Sequence, residues 1–293
     1  MAAASSAFRR VYPRLDPGGV LTPRLNSEMS WTGKKACPTS PMAGIVWRVR
    51  PLVSLYANWS SAFETPTITE LTNQPDGSAG LNAVVDPQRT NTLEAGVSGW
   101  VGTRLHGELS AFTADVDDEL VSFDVPNAPG RRAFRNAGKT SRRGVEAGAR
   151  TYLSYVELGT AYTWSRFRFV EYTVGDNDFA GNPIPGTPEH QLQLYATTRW
   201  RDAFGTVESR MASHVSANDA ATISAAGYAT WSLRGGYTFR VGTQSAIEAV
   251  AGVDNLFDRR YAQSVVTNAT RERFYEPGLV RRAYIGMTIR AQR

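Results

Sequence analysis

Apolar and polar residues alternate one for one along most of this chain. From Val53 the odd positions read Val53, Leu55, Ala57 and Trp59, and the even ones Ser54, Tyr56, Asn58 and Ser60. The pattern returns over 93–98, 104–111, 145–151, 190–200, 231–239, 247–253 and 283–289. A period of two sets each apolar series on one face of an extended strand. The runs are about ten residues long, where strands of soluble sheets commonly have five or six. No segment carries a persuasive 3.6-residue period of an amphipathic helix.

The connections alternate as well. Short ones fall near 50–51, 101–103, 153–154, 201–204 and 241–244, and long ones near 64–90, 124–132, 171–187, 216–225 and 256–280. A β-sandwich has no reason to make short and long connections take strict turns. A transmembrane barrel does, with tight turns at one rim and long loops at the other. Threading that rule predicts an all-β protein, an antiparallel transmembrane β-barrel of about eleven strands between Ala43 and Ile289, with 20–31 as a weaker twelfth. Polar series such as Arg104, His106, Glu108 and Ser110 are costly in a dry core and suit a hydrated lumen. Trp59, Trp100, Trp164, Trp200 and Trp231 fall where an aromatic girdle is expected.

Composition agrees once the alternation is known. Mean hydropathy is −0.32 because the two faces cancel, and no stretch nears the ~20 apolar residues of a helical membrane span. The 293 residues carry 32 Lys and Arg against 27 Asp and Glu, a formal charge of +5. Only Lys34, Lys35 and Lys139 are lysines, and the arginines are dispersed, so no nucleic-acid partner is expected. The single cysteine, Cys37, excludes a disulfide framework. Residues 1–10 lack the apolar core of a signal peptide.

Candidate chemistry is sparse, and neither a metal site nor a cofactor is expected. His106, His190 and His214 fall on separate predicted strands without the spacing of paired metal ligands, and suit a polar lumen or rim. His106 and Ser110 share a face, but about 13 Å of strand separates them, too far to activate a nucleophile. No enzymatic activity is expected. Asp115, Asp117, Asp118 and Glu119 offer carboxylate oxygens to calcium, yet lack EF-hand spacing and its glycine. They read instead as a solvated bend within a long strand.

Five segments carry more. The first, 54–67, contains Trp59, Phe63 and Pro66-Thr67 and continues to Glu70-Leu71. The second is 92–97, followed by Leu109-Ser110-Ala111-Phe112. The third runs Phe134-Arg135-Asn136-Ala137-Gly138-Lys139-Thr140 and on to Gly144-Val145-Glu146. The fourth is Pro183-Ile184-Pro185-Gly186-Thr187-Pro188, and the fifth is Asp254-Asn255-Leu256-Phe257-Asp258-Arg259-Arg260-Tyr261. In order and spacing these segments resemble the C-terminal barrel of TonB-dependent outer-membrane receptors, which take up ferric siderophores and other scarce ligands.

The resemblance implies structural roles for Phe63, Pro66, Glu70, Asn136, Gly138, Gly144, Glu146, Pro185, Asn255, Leu256, Asp258 and Tyr261. It implies a place in the outer membrane of a Gram-negative bacterium, with outer-membrane lipid around the wall. It also implies an iron-siderophore-type small ligand and a TonB-type energy-coupling protein as partners. Receptors of this kind close 22 strands around a plug, whereas about 11–12 strands are predicted here. Residues 42–293 are therefore expected to be the C-terminal part of such a barrel, in a fragment or truncated product without signal, coupling box or plug. Residues 1–41 resemble nothing in the family, and the ending Ile289-Arg290-Ala291-Gln292-Arg293 lacks the family's terminal aromatic residue.

Three of these features have a physical reading of their own. Gly144 removes a side chain where a strand must kink or pass close to a neighbour. Pro185-Gly186 with Pro188 ends a loop and fixes the chain's return to a strand. Asn255 and Asp258 bracket Leu256-Phe257 as a turn.

The long loops are the expected ligand site. Arg131, Arg132 and Arg135 beside Phe134, and Arg271 and Arg273 beside Phe274 and Tyr275, combine guanidinium groups with aromatic rings. That mixture suits an anionic catecholate-like or hydroxamate-like ligand, and equally the phosphates of lipopolysaccharide at the rim. A receptor barrel that binds and passes a ligand without reaction is the leading reading. A self-contained porin-like barrel of about twelve strands and a soluble β-rich binding protein or enzyme are the alternatives.

Overall fold

The computed structural model describes residues 39–291, apart from 77, 79, 83, 126, 127, 129, 130, 243, 244 and 270–273. The possible strand at 20–31, and Arg271 and Arg273, lie outside the described residues.

Eleven strands form one antiparallel sheet in which every strand pairs with its neighbours in sheet order. They are β1 (Met42–Arg50), β2 (Val53–Glu64), β3 (Gln88–Val101), β4 (Leu105–Asp117), β5 (Lys139–Leu153), β6 (Val156–Glu171), β7 (His190–Trp200), β8 (Ala203–Ala212), β9 (Tyr228–Val241), β10 (Ser245–Asp254) and β11 (Arg282–Ala291). This is a partial barrel: among the described residues β1 and β11 each have a single sheet partner. A short helix, α1 (Ile68–Thr72), lies in the first long loop. The tight turns at one rim place Gly102, Ser154, Arg201 and Gly242 in the left-handed region that short hairpins require.

The register turns eleven separate alternations into one surface. One row reads Leu55, Val97, Leu109, Ala147, Tyr162, Leu192 and Met211 across β2 to β8. Another reads Leu105, Thr151, Leu158, Ala196, Val207, Leu233, Val253 and Ala283 across β4 to β11. A slip of one residue anywhere would break the surface. Its large side chains are uncovered, Ile285 at 89% and Leu109 at 50% exposure. An apolar face left bare on this scale needs a non-aqueous neighbour.

That face has an upper limit. On β5 and β6 the pair Val145 and Trp164 is followed, one step toward the long loops, by Arg143 opposite Arg166, and then by Ser141 opposite Arg168. On β3 and β4, Leu93 gives way to Asn91 opposite Asp115 and Arg89 opposite Asp117. From Val156 to Trp164 the apolar stretch is about 26 Å of strand, or about 20 Å of height at the tilt usual for membrane barrels. Strands of 15 and 16 residues exceed the 9–11 a bilayer needs, and the excess is polar.

The opposite face carries a repeated device. Five aromatic side chains stand directly across from glycines: Tyr56 from Gly96, Phe112 from Gly144, Tyr195 from Gly159, Phe204 from Gly236 and Tyr284 from Gly252. At Gly144 an added Cβ would fall 2.5 Å from Phe112 Cζ and 2.7 Å from the Trp164 carbonyl oxygen, so that glycine serves close approach. One expectation needs correction here. Trp100 stands on the polar face, because Val97 and Gly99 hold the apolar parity of β3, and its ring meets His106 edge-on at 5.1 Å.

Candidate functional site

The described buried apolar core lies under the long loops. Ala137, Phe169 and Tyr172 form a buried cluster with Val121, Val174, Phe179 and Ile184 packed against it. The loops carry hairpins of their own, Leu120–Asp124 with Arg132–Asn136 and Ala262–Val265 with Tyr275–Pro277, and shorter pairs at 173–178 and 215–225. The sequence pattern placed the second loop at 124–132. It spans 118–138, because β4 ends at Asp117 and the chain reverses at Asp118, whose φ is +57°.

That reversal also corrects the acidic cluster, which is a strand end rather than a bend inside a strand. Its side chains diverge. Asp117 approaches Lys139 at 3.9 Å, and buried Glu119 accepts hydrogen bonds from Thr140 and Arg142. Burial, and the negative charges of Asp86 and Asp117, hold the Asp118 carboxyl above the usual range. Among the described residues no group of three His, Cys, Asp or Glu is placed to hold a metal ion. His106 and His190 lie in β4 and β7, but His214 sits just past β8 rather than in a strand; the His190 Nδ1 and Tyr162 hydroxyl are 2.8 Å apart.

The long loops are tied into one cap. Asn136 donates to the carbonyls of Asp86 and Asp118 and accepts from the Asp86 N–H, joining first loop to second. Arg131 donates to the Gln74 carbonyl at 2.8 Å. Arg132 donates to Ser122 Oγ and to Thr267, joining second loop to fifth. At the centre Asp219 accepts from the Tyr172 hydroxyl at 3.1 Å and from Asn268 Nδ2 at 2.9 Å. Its N–H donates to Asn268 Oδ1, and its carbonyl accepts from Asn182 Nδ2. Asn268 adopts a φ of +53°, which asparagine tolerates better than most residues. Burial pushes both the Asp219 carboxyl and the Tyr172 hydroxyl up from their ordinary pKa values. Short spacings in the sequence gave no sign of this knot; its members come from 172 to 268.

The residues expected to meet ligand are spread over this cap. The Arg135 guanidinium lies 3.5 Å from the centre of the Phe123 ring, and Phe134 is half-buried in the same hairpin. Phe274 is buried, while Tyr275 is half exposed and donates to the Ser224 carbonyl. Arg131, Arg132 and Arg135 are thus gathered at the loop end, the first two engaged with neighbouring loops and Arg135 within its own hairpin.

The motif residues occupy strand ends and loop roots. Phe63, the penultimate residue of β2, donates its N–H to Ser40 Oγ, and Pro66 precedes the capping box in which Glu70 and Thr67 bond each other's backbone N–H at the start of α1. Gly138 lies where a Cβ would meet the Glu171 carbonyl at 2.9 Å, and Glu146 faces Ser110 and Thr163 on the polar side. After Pro185, the Gly186 N–H donates to Ser216. Asn255 is buried at φ +49° and bonds Arg259 twice and Leu279 once. Leu256 N–H reaches the Trp231 carbonyl, the Asp258 N–H reaches Asn255, and Asp258 accepts from Arg281. Tyr261 stacks on Tyr228 with ring centres 4.3 Å apart.

A family model described as TonB dependent receptor-like, beta-barrel matches residues 27–256. Solved structures share the fold. The unliganded ferric citrate transporter FecA superposes with a TM-score of 0.68 at 20% identity, covering 86% of this chain and 38% of that one. The copper transporter OprC gives 0.69 at 20% identity, covering 86% and 39%. The siderophore receptor PiuA from Acinetobacter baumannii gives 0.65 at 17%, covering 89% and 38%. The chain thus spans about two fifths of the length of these structures.

Proposed function

Because the chain belongs to the TonB-dependent receptor β-barrel family, we propose that it forms wall and outer mouth of an outer-membrane receptor in a Gram-negative bacterium, for uptake of a scarce ligand. The observation that carries this reading is the pairing of a registered apolar face with interlocked loops at one rim only. The apolar face takes membrane lipid, the polar face lines the lumen, and the long loops stand outside. No bond is made or broken; the chain binds and guides.

A ferric siderophore is the ligand class that the cap's chemistry suits. Guanidinium groups beside rings stack on a chelator and bond its anionic oxygens. Arg131, Arg132, Phe134, Arg135, Phe274 and Tyr275 would supply these contacts, with Arg271 and Arg273 from the same fifth loop. Energy for uptake would come from a TonB-type coupling protein acting on the whole receptor.

The test is tryptophan fluorescence of the purified chain in detergent, titrated with a ferric tris-catecholate, a ferric tris-hydroxamate and ferric citrate. Saturable quenching by one complex, weakened by Arg135→Gln, supports the reading. Equal response to all three and to iron-free chelators would overturn it.

A further inference from the structure

The tight-turn rim carries a second concentration of arginine, on the polar face. A hollow of about 390 Å³ elsewhere is apolar, but the one here, about 610 Å³, is lined by Arg199, Arg201, Asp202, Phe204, Arg240, Glu248 and Arg290 among others. Two of its arginines are neutralised within the wall: Arg240 binds Asp202 at 2.6 Å and Arg290 binds Glu248 at 2.9 Å. Arg199 and Arg201 have no carboxylate partner among the described residues, nor does Arg234 on the neighbouring β9.

Aromatic rings hold these cations in place. Phe204 lies flat over Gly236, where an added Cβ would meet its ring at 2.4 Å. Arg199 faces Phe204 in register from β7, and the Arg199 and Arg234 guanidinium carbons each lie 5.8 Å from that ring's centre. Arg201 at the turn stands apart from them, 4.8 Å over Trp200 on the apolar side. Guanidinium groups braced on rings keep their N–H forks for an incoming oxyanion and lose less freedom on binding it. A single carboxylate satisfies one fork; unpaired cations on β7 and β9, to either side of β8, ask for a ligand with more than one.

We infer that this rim holds a small polyanion, carrying two or more carboxylate or phosphate groups, between Arg199 and Arg234. If the chain is a receptor wall, which this inference takes from the proposed function, the site is where an anionic cargo pauses on leaving the lumen. It lies at the opposite rim from the loop cap, so the two sites are separable by experiment.

Isothermal titration calorimetry of the purified chain in detergent tests it, with propane-1,2,3-tricarboxylate, inorganic pyrophosphate and, at matched ionic strength, acetate. The expected result is saturable binding of the tricarboxylate or pyrophosphate, with acetate silent; whichever binds more tightly identifies carboxylate or phosphate. Arg199→Gln with Arg234→Gln should weaken that binding by about tenfold or more. Phe204→Leu should weaken it less, and Arg210→Gln, whose partner is Glu208, should leave it unchanged. Binding that is absent, or identical in the double variant, overturns the inference. Loss of ferric-complex quenching with polyanion binding intact would instead count against the receptor reading alone.

Discussion

Tyr195 lies across Gly159 in perfect register, so close that a Cβ at position 159 would fall 2.1 Å from the ring. The Tyr195 hydroxyl then reaches Glu157 at 2.9 Å on the same strand as that glycine. The same pattern joins Tyr56, Gly96 and Glu94, with the hydroxyl 2.6 Å from the carboxylate. The bare glycine gives the ring a seat, and the acid two residues away fixes its tip.

Filling that seat should cost stability. Gly159→Val is expected to destabilise the sheet by about 1–3 kcal/mol, the usual range for overpacking. A guanidinium chloride unfolding curve in micelles measures it. Tyr195→Ala should remove most of the penalty when combined with Gly159→Val, and an additive double variant would refute the steric explanation.

The two faces should differ in their tolerance of charge. Leu194→Arg, near the middle of β7 on the apolar face, is expected to cost about 2–4 kcal/mol in a bilayer, while Gln193→Arg on the polar face costs little. Folding yields into lipid vesicles would show the difference.

Much of this fold was legible because a period of two survives any tertiary context that keeps one face apolar. Leu105, Leu109, Leu194 and Ile285 announce their strands without help. The loop hairpins did not show. Leu120–Asp124 continues the alternation of β4, and only the left-handed Asp118 and Glu119 separate them. The arginines of the second loop were visible as a cluster, but not their engagements with Gln74 and Thr267, which are 57 and 135 residues distant. Asp219 and Asn268 carried no signal at all: an amide–carboxylate pair that meets across 49 residues has no pattern along the chain.

That pair should make the cap sensitive to pH. Burial raises the Asp219 carboxyl above its ordinary value, against the hydrogen bonds of Asn268 and Tyr172 and the charge of Arg135. The folded cap therefore holds the proton more tightly than the unfolded loop. Its contribution is fully present below the ordinary aspartate pKa and is lost as pH rises through the raised one. Amide exchange in 213–227 and 262–269 should quicken, after correction for intrinsic rates, as pH climbs through that window. Asp219→Asn should flatten the dependence.

Asn268→Ala should loosen the cap at every pH. It removes two bonds to Asp219 and one to Ser122, and leaves a buried carboxylate short of a donor, at a cost of about 1–3 kcal/mol. Limited proteolysis would report faster cleavage in the fourth and fifth loops with the strands intact.

The most direct test is of the two faces in a bilayer. Single cysteines at Leu109 and Glu108, in a Cys37→Ser background, carry a fluorescent label in vesicles that contain either a nitroxide lipid or aqueous iodide. The expected result is quenching of the 109 label by the lipid nitroxide and of the 108 label by iodide. Equal iodide quenching at both sites, or lipid quenching at 108 in place of 109, would contradict an apolar face set against lipid and a polar face set against water.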